Sequence, residues 1–472
     1  MSAAEDTPTG LELGLNPSLP ASLLSLCARL GKFLHIPVAK TTNSEKPHIN
    51  LIIIGHPNTG KSTTAGRLML ECGGTDNDTI AGLEQAASET GQESSKYAWV
   101  FDTLQAERQR GCSFSLTSHQ LETPNRRITL TDTPGHRGYV KTMISGIPGG
   151  ECALLIISAD EAEFNESMKF GSEMRENIQI AFTLRVYRMI VAVNKMETRG
   201  WSEGAFNSIK NEVSSYIKKI GYSPDKIHFI PVSSLDGQNI STPKSDLSWY
   251  HGKTVVGAID DIGERPNGSI DQPLRLPIRR IHQIPGVGKV LVGCVVTGTI
   301  TPGMSVTIAP GGITATVRSL ESYKKPIDKG YPGHLVALSL DVEADFHRGQ
   351  IVSDSNYSPA TECSSFTAFF TKVVSHSPFN INPGYTPVVH CGTAQVPCKF
   401  ELLELIDARS GQTTEKNPRF LKLAATALVR LTPLKPLCAV TFSESGPLGS
   451  IVVRDIGKTI GVGRIQSIER HG

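Results

Sequence analysis

The chain has little of what marks a specialised class. Aromatic residues are 6% of its 472 residues, and only three are tryptophan. No apolar run is long enough to span a bilayer, which argues against a membrane protein. Charge of either sign is not in excess. The net charge of +2 neither proposes nor excludes nucleic acid, and leaves room for a local basic patch. The nine cysteines (Cys27, Cys72, Cys112, Cys152, Cys294, Cys363, Cys391, Cys398 and Cys438) form no CxxC pair. That spacing argues against zinc, and an odd, unpatterned set fits reduced thiols in the cytoplasm. Short internal repeats and low-complexity tracts are missing too.

What is there reads as two textures behind an extension. Residues 1–45 include the mildly amphipathic "LPASLLSLCARLGKFLHIPVAK". Glu5, Asp6 and Glu12 precede it, and transit peptides are acid-poor, so a loosely ordered extension or an appended helix is expected. From 49 to 270, apolar runs alternate with longer amphipathic segments. The runs are "INLIIIG" (49–55), "ITLTD" (128–132), "CALLIISA" (152–159), "YRMIVAVN" (187–194) and "IHFIPVS" (227–233). Near-continuous apolar strands predict a mostly parallel sheet with helices on both faces. Residues 202–221 have helical spacing and a terminal Gly. After "DQPLRLP" (271–277), Gly and Pro multiply and short alternating runs take over, the texture of antiparallel β-barrels. The only helical pattern there is the brief "KFELLELID" (399–407). A second break near "DSNYSPATECSS" (354–365) divides the β region. The expected organisation is an extension (1–45), an α/β phosphate-loop domain (46–270) and two β-barrel domains (271–360 and 361–472).

Chemistry concentrates in the α/β domain. "GHPNTGKS" (Gly55, His56, Pro57, Asn58, Thr59, Gly60, Lys61, Ser62) follows a strand and opens a helical segment that starts with Thr63. The pattern G-x-x-x-x-G-K-[ST] wraps phosphates in backbone N–H groups. Lys61 reaches the terminal phosphates, and Ser62 offers a hydroxyl to Mg²⁺. A chance Gly-rich turn would lack the strand–loop–helix setting. "LTDTPGH" (130–136) ends another strand. Asp132 can hold Mg²⁺ through water, Gly135 can donate to a terminal phosphate, and His136 is placed to orient an attacking water. A lone His is more often structural; behind a phosphate loop and Asp132 the functional reading is stronger. "NKME" (194–197) ends the next strand on the same sheet edge. Asn194 and Lys195 can frame a purine, and Glu197 can accept from guanine N1–H and N2–H₂, donors that adenine lacks. The backbone of "VSSLDG" (232–237), through Ser233, Ser234 and Leu235, can donate to the base O6.

These four motifs, in this order, resemble the translational GTPases. "KPHINLIIIGH", "KYAWVFDTLQAERQRG", "EVSSYIKKIGYSPDKIHFIPVSS", "GYTPVVHCGTAQVPCKFELLELIDARSG" and "PLGSIVVRDIGKTIGVG" are similar to eukaryotic elongation factor 1-alpha, from about Lys46 to Ile468. The resemblance implies a GTPase that binds GTP, GDP and Mg²⁺, and delivers aminoacyl-tRNA to the ribosome. It also implies Ser113 as a further Mg²⁺ ligand, an exchange factor as partner, and a cytoplasmic monomer without membrane association.

The chain departs from this family at working positions. Pro57 and Asn58 stand where the family has Val and Asp. In the loop that closes over the γ-phosphate, Cys112 stands for Ile, and Glu197 replaces an Asp. Slower or differently gated hydrolysis and a weakened guanine preference are expected. Strained charge-assisted hydrogen bonds, at roughly 1.5–3 kcal/mol each, would cost about tenfold or more in affinity. Cys294 and Val296 stand where the family has Arg and Glu, in a barrel implied to hold the aminoacyl end. Arg454, Lys458 and Arg464 are either phosphate contacts or a solvated basic face. Two alternatives keep the architecture. One is a rescue or termination paralogue with a tRNA-shaped protein partner. The other is a low-turnover GTP-binding scaffold that acts through protein contacts such as the cytoskeleton.

Overall fold

The computed structural model describes residues 46–263, 270–372, 381–407 and 410–470. The expected N-terminal extension lies outside the described residues.

The first sheet has the order β2-β3-β1-β4-β5-β6. Its strands are β1 (His48–Gly55), β2 (Thr117–Glu122), β3 (Arg127–Asp132), β4 (Cys152–Ser158), β5 (Arg188–Asn194) and β6 (His228–Pro231). All pairings are parallel except that of the edge strand β2 with β3. The apolar runs are continuous because both faces are covered. Ile52 and Ile54 join one core cluster, while Leu51 and Ile53 join the other. Each fully buried aliphatic side chain contributes roughly 1.5–3 kcal/mol. The strand order reverses at β1, so a crevice opens at its carboxyl end, where α/β sheets bind ligands. The amphipathic segment at 202–221 forms the helix Glu203–Ile220. Ser202 caps it by accepting from the Ala205 N–H, and Gly221, with φ 120°, ends it.

Two β-barrels follow. In the first, β10 (Ile313–Ser322), β12 (Leu335–Leu340), β8 (Gly288–Cys294), β7 (Leu276–Ile284), β13 (Ile351–Asp354) and β9 (Ser305–Ala309) close through the β9–β10 pairing; β11 (Lys325–Pro326) flanks them. In the second, the ring is β15 (Val388–Cys391), β19 (Ser450–Asp455), β20 (Lys458–Arg470), β14 (Cys363–Lys372), β18 (Thr426–Pro433) and β16 (Ala394–Ile406). It closes through β15–β16, with β17 (Thr413–Lys416) outside.

The helical pattern expected at 399–407 is instead part of β16. Phe400 and Leu402 are buried while Lys399 and Glu401 are exposed, which is strand alternation. A register shift between Leu402 and Glu404 then puts Leu402 and Leu403 side by side. That bulge inserts one residue into a two-residue period, and the sum mimics helical spacing.

The barrels pack onto the first domain and onto each other. Arg280 donates to the Leu116 carbonyl. Asn50 Nδ2 donates to the carbonyls of Gly149 and Gly333. Cys294 is 2% exposed and lies against Gly333, with Sγ 3.5 Å from its carbonyl oxygen. Val296 is buried with Ala309, Ile351, Cys438, Val440 and Leu448, between the two barrels. These two positions are therefore seams, where Arg and Glu would need buried partners. Arg454 is equally committed: it is buried and pairs with Glu176 at 2.7 Å. Arg464 stacks on the Phe442 ring at 4.7 Å.

Candidate nucleotide site

A cavity of about 460 Å³ lies at the carboxyl edge of the first sheet. Pro57, Asn58, Gly60, Lys61, Ser62 and Thr63 line one end. Asp102, Cys112, Ser113, Gly135 and His136 line the middle, and Asn194, Lys195, Glu197 and Leu235 the other end. A larger cavity, about 660 Å³, opens at the opposite edge among Tyr187, Arg188, Tyr222 and Lys226, and contains none of the motif residues.

The phosphate loop runs from β1 into the helix Lys61–Glu71. Gly60 has φ 89°, and a Cβ there would meet Asn194 Nδ2 at 2.3 Å, so only glycine fits. Asn58 also takes a left-handed φ, 64°, which Asn tolerates. Pro57 has no N–H, so the loop has one donor fewer to offer a phosphate. Lys61 is buried, and its Nζ donates to the His56 carbonyl at 2.6 Å. Burial pulls its pKa down to about 8, against the opposing pull of Asp132. A Cβ on Gly135 would meet Lys61 Nζ at 2.3 Å, so the end of the lysine would have to shift to admit one.

Four oxygen-bearing side chains converge beside it. Ser62 Oγ donates to Asp132 Oδ2 at 2.6 Å and lies 2.9 Å from Ser113 Oγ. Ser113 Oγ donates to Asp102 at 2.6 Å. Asp132 Oδ1 is buried without a hydrogen-bond partner. Burial raises Asp132 to about 6 and Asp102 to about 7. A hard, all-oxygen set with an orphaned carboxylate oxygen fits Mg²⁺, which keeps water and phosphate oxygens in its shell. Glu107 holds the neighbouring loop from behind: buried, it accepts from the N–H groups of Phe114 and Ser115.

At the base end, Asn194 is buried and both halves of its amide are engaged. Nδ2 donates to the Thr59 carbonyl and Oδ1 accepts from the Ser234 N–H, each at 2.9 Å. Asn194 thus fastens the phosphate loop to the 233–235 loop. Lys195 has φ 62° and pairs with Glu163 at 2.7 Å. Glu197 is exposed toward the cavity. Among the described residues its carboxylate has no hydrogen bond or ion pair.

Of the nucleotide-site residues singled out from sequence, Gly55, His56, Thr59, Asp132, Ser233 and Ser234 are outside the lining; the others line the cavity. Thr59 Oγ1 donates to the His56 carbonyl at 3.0 Å, and Ser233 Oγ to Asp236 at 2.7 Å. Sequence reasoning missed Asp102, Ser94 and Ser95 in the wall, and Glu107 and Glu163 behind it. Asp102 and Glu107 fall within "KYAWVFDTLQAERQRG", whose only signal was resemblance.

Residues 46–292 match the family described as elongation factor Tu GTP binding domain, and residues 368–466 the GTP-eEF1A C-terminal domain-like family. The elongation factor 1-alpha of Coccidioides immitis is 43% identical over 441 residues, covering 90% of this chain and 95% of that protein. The chain belongs to the elongation factor 1-alpha family. Its Saccharomyces cerevisiae relative in that family is 42% identical, with 90% and 96% covered. Among solved structures, the GTP-bound Ski7 GTPase-like domain of S. cerevisiae superposes with a TM-score of 0.75 at 17% identity, covering 89% of this chain and 97% of that one. A bacterial selenocysteine-specific elongation factor superposes at 0.63 with 19% identity, covering 89% and 58%. At such identities these two show the fold alone. Elongation factor 1-alpha kinship makes the chain a divergent, GTP-binding translation factor and a GTPase. Among the described residues no helix is long and apolar enough to cross a membrane.

Proposed function

We propose that this elongation factor 1-alpha relative carries aminoacyl-tRNA to the ribosome in its GTP form and hydrolyses GTP to GDP and phosphate there. The observation that carries the reading is one cavity joining Lys61, Ser62, Ser113, Gly135 and His136 to the free carboxylate of Glu197. Phosphate chemistry and guanine recognition then share one wall. Mg²⁺, when bound, neutralises charge on the phosphates. Ser62, Ser113 and Asp132 would hold it, while Asp102 fixes Ser113.

The hydrogen bond of His136 supports a water-orienting role for it. The Gly138 N–H donates to Nδ1 at 3.1 Å, so the neutral ring carries its proton on Nε2. Nε2–H donates to the oxygen of a water. His136 therefore orients the nucleophile and does not take its proton. Lys61 and the Gly135 N–H stabilise charge that develops on the γ-phosphate oxygens. Pro57 and Cys112 line the same cavity as this histidine. Pro57 removes one backbone donor from the loop, while Lys61 and the Gly135 N–H remain. Through Arg280, the first barrel contacts the loop that ends at Leu116. A change in that loop with nucleotide state is thus passed to the barrel.

The test is protection of aminoacyl-tRNA against deacylation, with GTP and with GDP. Protection with GTP alone supports the carrier. No protection in protein that binds GTP defeats it. Retention of GTP without phosphate release, even with ribosomes, would favour the scaffold alternative.

A further inference from the structure

One helix turn touches the phosphate loop, the His136 segment and the last barrel. The helix Glu173–Thr183 begins beside the cavity, capped by Ser172. Glu173 Oε2 lies 3.3 Å from His56 Nε2, in the phosphate loop. Its Oε1 lies 3.5 Å from Nε of Arg137, the residue after His136. Arg137 Nη2 also reaches the Gly171 carbonyl at 3.4 Å. Hydrogen bonding to His56, chiefly, holds the Glu173 carboxyl down at about 2. One turn further, Asn177 Nδ2 donates to the Gly55 carbonyl at 3.2 Å. Glu176 accepts from Arg454 at 2.7 Å and from the Thr459 N–H at 3.2 Å, both in the last barrel.

We propose that Glu173 is a positioning residue for hydrolysis, one that holds the His136 segment against the phosphate loop through Arg137 and His56. The helix beneath it is anchored to the last barrel by Glu176, so the placement of that barrel is felt at His136. The strengths suit this role. The Glu176–Arg454 pair is shielded, with 14% and 8% side-chain exposure, and is a firm anchor. The Glu173–Arg137 pair is looser, with Arg137 41% exposed. Such a pair biases a segment several-fold without locking it, as a loop that must move between nucleotide states requires.

The inference rests on the reading of His136 as the water-orienting residue, so His136→Ala is measured first. If hydrolysis survives that change, the His136 reading has failed, and this one with it. Given its loss, single-turnover GTP hydrolysis and the GTP dissociation constant are measured for Glu173→Gln, Arg137→Gln, the double variant and Glu173→Asp. The expected result is a rate about fivefold lower in each single Gln variant, with GTP affinity changed less than about twofold. The double variant should be no slower than either single one, and Glu173→Asp should recover most of the rate. Melting temperatures identify a variant that has merely lost its fold, and in that case Glu173→Asp and Arg137→Lys carry the comparison. An unchanged rate in Glu173→Gln, equal losses of rate and affinity, or single effects that multiply in the double variant would each overturn the proposal.

Discussion

At the phosphate end of the cavity Lys61, Asp102 and Asp132 are buried, and the half-buried Ser62 and Ser113 link the two carboxylates. At the base end Glu197 and Leu235 face solvent, and Asn194 steadies the loops around them. Buried charges raise the energy of the folded chain until phosphate and cation join them, so binding energy at that end is large and unforgiving. An exposed carboxylate costs little to keep and alters mainly which base is preferred. Of the four departures from the family that lie in this cavity, Pro57, Asn58 and Cys112 modify the surroundings of the first end. Glu197 alone modifies the second.

The contrast orders the consequences of mutation. Lys61→Ala should be the most damaging change, raising the GTP dissociation constant by about 100-fold in a direct binding titration, since several charge-assisted contacts are lost at once. His136→Ala should lower the hydrolysis rate by about a hundredfold or more while GTP affinity stays within about twofold, as expected of a residue that acts on the water alone. At the base end, Glu197→Asp should raise the preference for GTP over ATP by about tenfold in competition; no gain would mean the longer side chain already fits.

The smallest effect concerns stability without nucleotide. Asp102 and Asp132 have folded values raised to about 7 and about 6, above the ordinary carboxylate value. Their contribution to stability is complete below about pH 4 and is lost as pH rises through 7, because the unfolded chain releases these protons first. Asp102→Asn should therefore stabilise the nucleotide-free protein at pH 8, by about 2–4 °C per kcal/mol relieved, while weakening Mg²⁺-dependent GTP binding. A melting scan across pH that shows no difference between this variant and the parent would erase the contrast between the two ends.

The parts most legible in the sequence were those where one period or motif decides the structure. Five of the sheet's strands are buried on both faces and stood out as apolar runs. The edge strand β2 did not. "TSHQLE" is half exposed and polar on one face, and only pairing with β3 makes it a strand. "KFELLELID" misled because a bulge distorts a simple alternation. In the site, the local motifs brought out Lys61, Asp132, His136 and Glu197. Asp102, Glu107 and Glu173 were hidden, since their roles depend on contacts with residues distant in space that no spacing encodes. Acidic residues in a helix's first turn, such as Glu173 and Glu176, look like ordinary partners of the helix dipole until the loops they hold are seen.

The two-ended engagement of Asn194 has a bearing on Glu197. Because one amide grips both Thr59 and Ser234, the stretch between the phosphate and base stations behaves as a fixed gauge. The backbone cannot retreat to make room for the extra methylene without releasing that grip. The slack must come from the side-chain torsions of Glu197 itself. If Glu197 reads the base as proposed, purine choice becomes a matter of how one flexible arm folds up over a rigid rule.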